Sequence, residues 1–384
     1  MRLPSALLLV AALTAHAADT DPLSPWRDGV RVHPVSEKSG RHTIHSYFNT
    51  TPESPDGKHV VFFSSTAADG QSGDVCMIDR ATGEETVLAS GLHTEDAHRV
   101  ACQQWVSGGQ RVVYHNERYG EWSVNVVEIA APQERVLARG RLVGFGQPQS
   151  DLVPVYGPHW LANGHHDLDL LNVATGELRT VAKAEGVRAA YPDWAAKQFG
   201  DKPLSIFFPN LSPDGKRVFF KMASPGNGDP RSKGASAREG LIGYSLADSR
   251  FIYLREKWGH PSWTADSHTF AEAGNLLIDM DDGKTQRVPK LPPFRGDHPT
   301  VSPDGRLYLT DTTLDKFGGT ENEWGVIVAD VRTGDYVFLA RFDNSHGAKS
   351  WRRSHPHPVF SPDGHRIYFN VSSTEWTQLH VAER

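Results

Sequence analysis

The chain has 384 residues, with 40 Lys or Arg against 46 Asp or Glu, which gives a formal net charge of −6. No basic run is present, which excludes the clustered positive face on which nucleic-acid binding depends. Hydrophobic residues make up 38 % of the chain, and 35 Gly and 25 Pro accompany 17 Phe, 10 Tyr and 10 Trp. This composition excludes a disordered chain and a coiled coil, and it favours a turn-rich all-β protein.

The first 17 residues have the composition of a secretory signal peptide. Arg2 supplies a positive charge, residues 6–15 are mostly apolar, and residues 15–17 read Ala-His-Ala, an A-x-A cleavage site. An apolar core of about ten residues is shorter than the roughly 20 that a membrane span needs. We therefore expect a periplasmic or secreted protein without a membrane anchor. In that oxidising setting Cys76 and Cys102 could form a disulfide or remain two buried thiols, and the sequence leaves both open.

Residues 18–384 are predicted to form one domain built from an internal repeat. The tetrapeptide Ser-Pro-Asp-Gly stands at residues 54–57, 212–215, 302–305 and 361–364, each time before a run of β-forming residues. Pro presets the backbone of a tight turn, and Asp and Gly suit the positions after it. Degenerate copies begin at Val106 and Thr264, and a weak one lies near residues 149–151. The repeat therefore predicts seven units.

The spacing of these units predicts the fold. Between Asp56 and Asp363 the repeat length is about 51 residues, close to one four-stranded propeller blade with its loops. A second turn with a T-G or D-G pair follows in several units, which is typical of a hairpin between the third and fourth strands. The last unit ends after its third strand, and residues 30–35 can supply the fourth. We predict an all-β, seven-bladed β-propeller closed between its N- and C-terminal strands.

Histidines are concentrated in the segments that precede the repeated turns, on the innermost strand of each predicted blade. Side chains two residues apart on a strand point the same way, so His355 and His357 would face the channel together, and His298 of the neighbouring blade could join them. Three imidazoles suit Mn²⁺, Zn²⁺ or a related divalent ion, whereas the alternative is a set of channel-lining polar residues that satisfy one another and water. The histidines of these segments are His45, His98, His260, His298, His355 and His357.

Other residues are candidates for contact with a substrate. His260 could act as a general base, because an imidazole exchanges a proton near neutral pH. Arg238, Arg352 and Arg353 could bind a carboxylate, although a solvated surface charge is the simpler interpretation of each one alone. Trp263 could stack on a sugar or pack between blades. The sequence has no G-x-S-x-G motif, which excludes the nucleophile elbow of the α/β-hydrolases.

The histidine pattern, with HPHPVFSPDG at residues 355–364 and TQLHVAER at residues 377–384, resembles that of the oligogalacturonate lyases. The Ser-Pro-Asp-Gly repeat alone is less specific, since it is shared with the translocation propeller of the Tol system. The resemblance implies a seven-bladed propeller that carries Mn²⁺ and cleaves short uronate oligosaccharides by β-elimination. It also implies that His298, His355 and His357 bind the metal, that His260 is the base, and, by a looser match, that Arg238 assists.

One metal ligand of that family, a Gln shortly before the HPHP segment, has no counterpart here, because residues 350–354 read Ser-Trp-Arg-Arg-Ser. The fourth ligand is then expected to be water, substrate or another side chain, with Gln103 and Gln104 as the nearest candidates. We expect an exported, metal-dependent lyase of oligogalacturonate or related uronate oligosaccharides. Two alternatives stay open: a non-catalytic Tol-type propeller that binds protein or glycan, and the same pocket with another uronate lyase or glycoside hydrolase activity.

Overall fold

The computed structural model describes residues 21–296 and 298–384. The predicted signal peptide, residues 1–17, lies outside the described residues. Across the described ranges the chain forms 28 strands, three short α-helices and one 3₁₀ turn, so the all-β prediction is confirmed. The same ranges contain no helix that is both long and apolar enough to span a bilayer.

The strands follow one another as antiparallel meanders, with the helices in the connections. The strands are β1 (Arg31–Pro34), β2 (His42–Ile44), β3 (His59–Ser65), β4 (Ser72–Asp79), β5 (Glu85–His93), β6 (Gln104–Val106), β7 (Arg111–Arg118), β8 (Glu121–Glu128), β9 (Glu134–Arg139), β10 (Leu142–Val143), β11 (Leu152–Tyr156), β12 (Leu168–Asn172), β13 (Leu178–Ala182), β14 (Ser205–Leu211), β15 (Arg217–Pro225), β16 (Ser236–Ser245), β17 (Arg250–Arg255), β18 (Ser262–Trp263), β19 (Thr269–Glu272), β20 (Leu276–Asp279), β21 (Thr285–Arg287), β22 (Thr300–Val301), β23 (Leu307–Thr313), β24 (Glu323–Asp330), β25 (Tyr336–Asp343), β26 (Val359–Phe360), β27 (Arg366–Val371) and β28 (Gln378–Glu383). The helices are α1 (Ser24–Arg27), α2 (Ala184–Ala190) and α3 (Pro192–Phe199), and the 3₁₀ turn is Ser107–Gly109.

The sheets are groups of four consecutive strands. Five of them are β6–β9, β10–β13, β14–β17, β18–β21 and β22–β25. A larger sheet joins β2–β5 to β26–β28 and β1. Within it, β1 pairs antiparallel with β28, so that Arg31 lies opposite Glu383, and one parallel pair, Thr43 with Gln378, connects β28 to β2. The segment predicted at residues 30–35 therefore does supply the fourth strand beside the last three.

The Ser-Pro-Asp-Gly turns have the same hydrogen bonds in all four copies. In the first copy the Gly57 amide donates to the Ser54 carbonyl at 2.9 Å, and the Ser54 hydroxyl donates to Asp56 Oδ1 at 2.7 Å. Gly57 has a φ of +73°, which a residue without a side chain adopts at little cost. In the degenerate copy Ser267 takes the glycine position with a φ of +66°, and Thr264 replaces the first serine. Each turn directly precedes the second strand of its group of four strands.

The core lies between neighbouring sheets, because both faces of the second strands are buried. On β3, Val60 packs in one cluster with Tyr368 of β27, whereas the next residue, Val61, packs in another with Tyr114 of β7. A strand covered on both faces reads as a continuous hydrophobic run rather than an alternating one. This explains the HVVFFSS and RVFFKMAS segments of the repeat.

Cys76 and Cys102 are both free and buried in this structure. Of the two possibilities left open by the sequence, the structure therefore has the two buried thiols and not the disulfide. Burial raises the pKa of Cys76 and of Cys102 to about 12. Both therefore serve as small apolar core residues.

Candidate functional site

Four histidines converge at the end of the inner strands that is opposite to the repeated turns. His298 precedes β22, His355 and His357 precede β26, and His98 precedes β6. Each offers a ring nitrogen, and these atoms all lie within 4.8 Å of one another. The ring centroid of His357 is 4.5 Å from those of both His98 and His298. The structure thus brings together the three predicted metal histidines and adds His98 to them.

The backbone conformation that brings His355 and His357 together differs from the predicted strand. Strand alternation does not align His355 with His357, because β26 begins only at Val359. Instead His357 has a φ of +48°, in the left-handed region that residues with a side chain rarely adopt. Such local strain is tolerated where the surrounding structure enforces it, and it is concentrated at functional sites.

Two members of the cluster are oriented by hydrogen bonds from their other ring nitrogen. His298 Nδ1 donates to Asp311 Oδ2 at 2.7 Å, and the two side chains are only 1 % and 0 % exposed. His98 Nδ1 lies 2.9 Å from the carbonyl oxygen of Arg353 and must be the donor, because a carbonyl only accepts. Metal-binding histidines usually have such a partner, which fixes the ring and leaves Nε2 free to coordinate.

The remaining ring nitrogens of the cluster fit a cation. His98 Nε2, His355 Nδ1 and both ring nitrogens of His357 are buried and have no hydrogen-bond partner among the described residues. Leaving buried polar atoms unpaired is costly, so a native protein normally satisfies them. Burial also lowers the pKa of His98, His355 and His357 well below the usual value, to about 3 for His355. These imidazoles are therefore neutral near pH 7, the form that binds a metal.

The size of the cluster also suits one ion. Imidazole nitrogens bind divalent metals at about 2.1 Å, so ligand atoms of one ion lie about 3.4 Å apart in a tetrahedral arrangement and about 4.2 Å apart where they are opposite. The four ligand atoms all lie within 4.8 Å of one another, so binding of one ion would require the rings to move closer together.

His260, the predicted base, lies beside the cluster. It precedes β18, and its ring centroid is 5.5 Å from that of His298. The His260 amide donates to Glu272 Oε1 at 2.8 Å, which fixes the backbone at this point. Burial, reinforced by the positive charge of Lys221, holds the pKa of His260 well below its ordinary value. A neutral, half-buried imidazole next to the cluster can accept a proton from a bound substrate.

Arg352 and Arg238 face the same region. The half-buried guanidinium of Arg352 forms no hydrogen bond or ion pair with any described residue and lies 5.9 Å from the Trp351 ring centroid. Its charge contributes to the lowered pKa of His98 and of His260, which places it within electrostatic reach of both. Arg238 Nε donates to Ser236 Oγ at 3.1 Å, and burial together with the charge of Arg352 lowers the pKa of Arg238 to about 10. The guanidinium groups of Arg352 and Arg238 could therefore bind an anion in this region.

Two other candidates, Arg353 and Trp263, occupy different surroundings. The Arg353 side chain donates to the carbonyl groups of Ser345 and His346, so it holds a loop, and only its own carbonyl contacts the cluster. Trp263 donates from Nε1 to the Asn210 carbonyl at 3.1 Å and packs 5.2 Å from the Phe219 ring, between two sheets.

The two glutamines considered for the fourth ligand position are also held by the backbone. The Gln104 amide is used at both ends, by the Gly144 carbonyl and the Gly146 amide. Gln103 donates to the Ile44 carbonyl at 3.0 Å, and its Oε1 has no hydrogen-bond partner in the part of the chain that the structure describes.

Lys221 and Trp258 are features of the site that the sequence analysis missed. Lys221 on β15 is fully buried, and its Nζ lies 3.8 Å from the Trp258 ring centroid and 4.5 Å from that of Phe208. It has no hydrogen-bond partner among the described residues, and burial holds its pKa well below the usual value. Trp258, with its ring centroid 6.1 Å from that of His260, has the position that we expected of Trp263. A lone lysine within the apolar run RVFFKMAS is the signal that could have revealed this group.

Comparison with known proteins gives structural matches only. No protein-family model matches the chain, and no curated protein matches its sequence. A solved oligogalacturonate lyase in complex with manganese is similar with a TM-score of 0.64 and 16 % identity, over 92 % of this chain and 93 % of that one. An oligogalacturonate lyase of Vibrio parahaemolyticus gives 0.62 and 15 %, with coverage of 92 % and 93 %. The hydrazine synthase of Kuenenia stuttgartiensis gives 0.51 and 16 %, with coverage of 87 % and 95 %. The resemblance to oligogalacturonate lyases is thus borne out, and at these identities the likeness establishes a shared fold.

Proposed function

We propose that this protein is a metal-dependent lyase that cleaves oligogalacturonate, or a related uronate oligosaccharide, by β-elimination. The observation that carries the proposal is the group of four converging histidines, three of which have buried ring nitrogens without a hydrogen-bond partner among the described residues. His260 and the guanidinium of Arg352 lie beside this group. The fold that carries this histidine cluster is similar to that of two oligogalacturonate lyases, which also supports the proposed lyase function. Export to the periplasm or medium is part of the proposal and rests on the sequence of residues 1–17.

We also propose that the groups of four strands are the seven blades of a propeller closed between β1 and β28. The pairing of β1 with β28 and the burial of both faces of the second strands support this arrangement. A ring of blades would place the loops before the inner strands around one mouth of the central channel. Metal ligands, base and arginines could then come from different blades to a single site.

His298, His355 and His357 would hold a divalent cation, and Mn²⁺ is the ion named for one of the similar structures. When bound beside a uronate carboxylate, the cation would stabilise the negative charge that builds up on that group as the neighbouring carbon loses its proton. Asp311 and the Arg353 carbonyl keep two of the imidazoles oriented for this purpose.

The chain's own residues would carry out the proton transfer and the binding. His260 accepts the proton from C5 of the uronate, the electrons of the C5–H bond form the C4=C5 double bond, and the C4–O bond breaks. The leaving oxygen takes a proton from water, which balances the elimination and gives a 4,5-unsaturated product. Arg352 and Arg238 bind the substrate carboxylate and hold it in place through charge-assisted hydrogen bonds.

The test is the ultraviolet absorbance of the unsaturated product when galacturonate oligomers are mixed with the protein. We expect absorbance to rise with metal present, to stop when a chelator is added and to resume when the metal is restored. His260→Ala should remove the activity, whereas His268→Ala, which changes an exposed histidine paired with Asp281, should not. Binding of the oligomer without any absorbance change, in metal-loaded protein, would favour the non-catalytic alternative.

A further inference from the structure

We propose that His98 is the fourth protein ligand of the metal, so that four imidazoles and no protein oxygen hold the ion. We infer that such a centre favours Zn²⁺ over Mn²⁺ more strongly than a site with an amide oxygen in that place would. The inference rests on the metal site of the proposed function and not on the lyase reaction itself.

The placement of His98 is that of a ligand. Its ring centroid lies 4.5 Å from that of His357 and 4.8 Å from that of His355. The bond from its Nδ1 to the Arg353 carbonyl leaves Nε2 as the only nitrogen that can coordinate, and Nε2 is buried without a partner among the described residues. His298 is oriented in the same way, since its Nδ1 donates to Asp311 and leaves Nε2 to coordinate.

The loop that presents His98 is held in an unusual conformation. Asp96 Oδ1 accepts the amide hydrogens of His98 and Arg99, each at 3.0 Å. Two of the next residues, Val100 and Cys102, have φ values of +43° and +48°. A β-branched residue in the left-handed region is a true outlier, so the surrounding contacts must impose this path. Holding the loop in this conformation therefore costs free energy. A role in placing the His98 ring would explain why the fold retains this strain.

Among the described residues, no carboxylate belongs to the ligand group that contains His98. The residues whose ligand atoms lie within 4.8 Å of one another are all histidines, and Asp311 contacts His298 only as a hydrogen-bond partner. Gln104 uses both ends of its amide on backbone groups. Gln103 keeps an unpartnered Oε1 and is the one rival among the two glutamines. A variant of Gln103 is therefore the matched control.

The chemistry of the ligand set leads to the selectivity. Imidazole suits Zn²⁺, Cu²⁺, Fe²⁺ and Ni²⁺, whereas Mn²⁺ prefers carboxylate, carbonyl and water oxygens. Exchanging an oxygen donor for a fourth imidazole therefore strengthens Zn²⁺ binding more than Mn²⁺ binding. The reverse exchange, His98→Gln, should undo this difference.

The experiment compares Zn²⁺ and Mn²⁺ affinities by calorimetry of the metal-free protein, with the Mn²⁺ electron paramagnetic resonance signal as a second measure of bound ion. We expect His98→Gln to weaken Zn²⁺ binding at least about tenfold more than Mn²⁺ binding, given that even outer partners of a ligand change affinity about 10- to 100-fold. Gln103→Leu should leave both affinities within about threefold of the wild type. Circular dichroism and thermal melting confirm that each variant is folded, and His98→Ala serves as a second variant.

Several results would overturn the inference. Unchanged affinities in both folded His98 variants would remove His98 from the ligand set, and a loss of metal in Gln103→Leu would give its place to Gln103. Equal weakening of both ions in His98→Gln would refute the selectivity. A wild-type protein that binds Zn²⁺ selectively but forms no unsaturated product would support this inference and contradict the proposed lyase function, so the two can fail separately.

Discussion

Replacing Asp311 with Asn tests whether the histidine cluster binds a metal. The Asp311 carboxylate accepts a hydrogen bond of 2.7 Å from His298 Nδ1, and both side chains are almost completely buried. The substitution keeps the size of the side chain and a hydrogen-bond acceptor but removes the charge, so the ring loses the anionic partner that makes Nε2 a better electron donor. Loss of such a partner weakens metal binding about 10- to 100-fold, which corresponds to about 1.4–2.7 kcal/mol.

The assay is calorimetric titration of the metal-free protein, with thermal melting at fixed metal concentration as a check. A ligand that binds only the folded state raises its stability, so weaker binding should reduce the rise in melting temperature caused by the metal. Asp315→Asn is the control, because Asp315 pairs with Arg295 near the surface and not with a histidine. An Asp311→Asn variant that binds metal as tightly as Asp315→Asn would refute the reasoning, since the carboxylate would then have no influence on a metal ligand.

Three further predictions concern catalysis, binding and stability. His260→Ala should reduce turnover by at least about 100-fold, as expected for a lost general base, while metal affinity measured by calorimetry stays within about threefold; retained turnover would contradict the assignment. Arg352→Met should raise KM for uronate oligomers about tenfold or more through the loss of charge-assisted hydrogen bonds, but should have little effect on methyl-esterified oligomers; equal effects on both would exclude a carboxylate contact. His115 is buried and burial lowers its pKa to about 3, so the unfolded chain takes up the proton first and stability is lost as pH falls below 6.5. His115→Phe should therefore lessen the loss of unfolding free energy between pH 6.5 and 4.5, measured in urea, by about 2–3 kcal/mol, and an unchanged loss would contradict this.

The features that could be predicted from sequence are those determined by local chemistry. The Ser-Pro-Asp-Gly turns follow from residues that favour one turn geometry, and Ser54 and Asp56 form the expected hydrogen bonds within four residues of each other. The pairing of residues 30–35 with the last strand followed from the count of strands in each unit. His298 and His357 precede the serine of their repeated turns by the same number of residues. The sequence could therefore assign both to the same end of the inner strands.

The features that could not be predicted depend on loops whose path the repeat does not determine. His98 joins the cluster through a segment with two left-handed residues, so neither strand alternation nor spacing reveals it. Arg352 and Arg353 are adjacent in sequence, yet only the second is bound to loop carbonyl groups. Likewise Trp258, and not Trp263, lies beside His260, because β18 carries Trp263 away from the cluster toward the turns.

The pairing of β1 with β28 has a consequence for how the molecule is made. A ribosome releases residues 31–34 long before residues 378–383, so β1 keeps an unpaired edge until β28 has been synthesised. Unpaired edges invite pairing with other chains, and during that interval the nascent polypeptide is open to aggregation or to exchange of its opening strand with another copy. Shortening either terminus by a single strand would make this temporary exposure permanent.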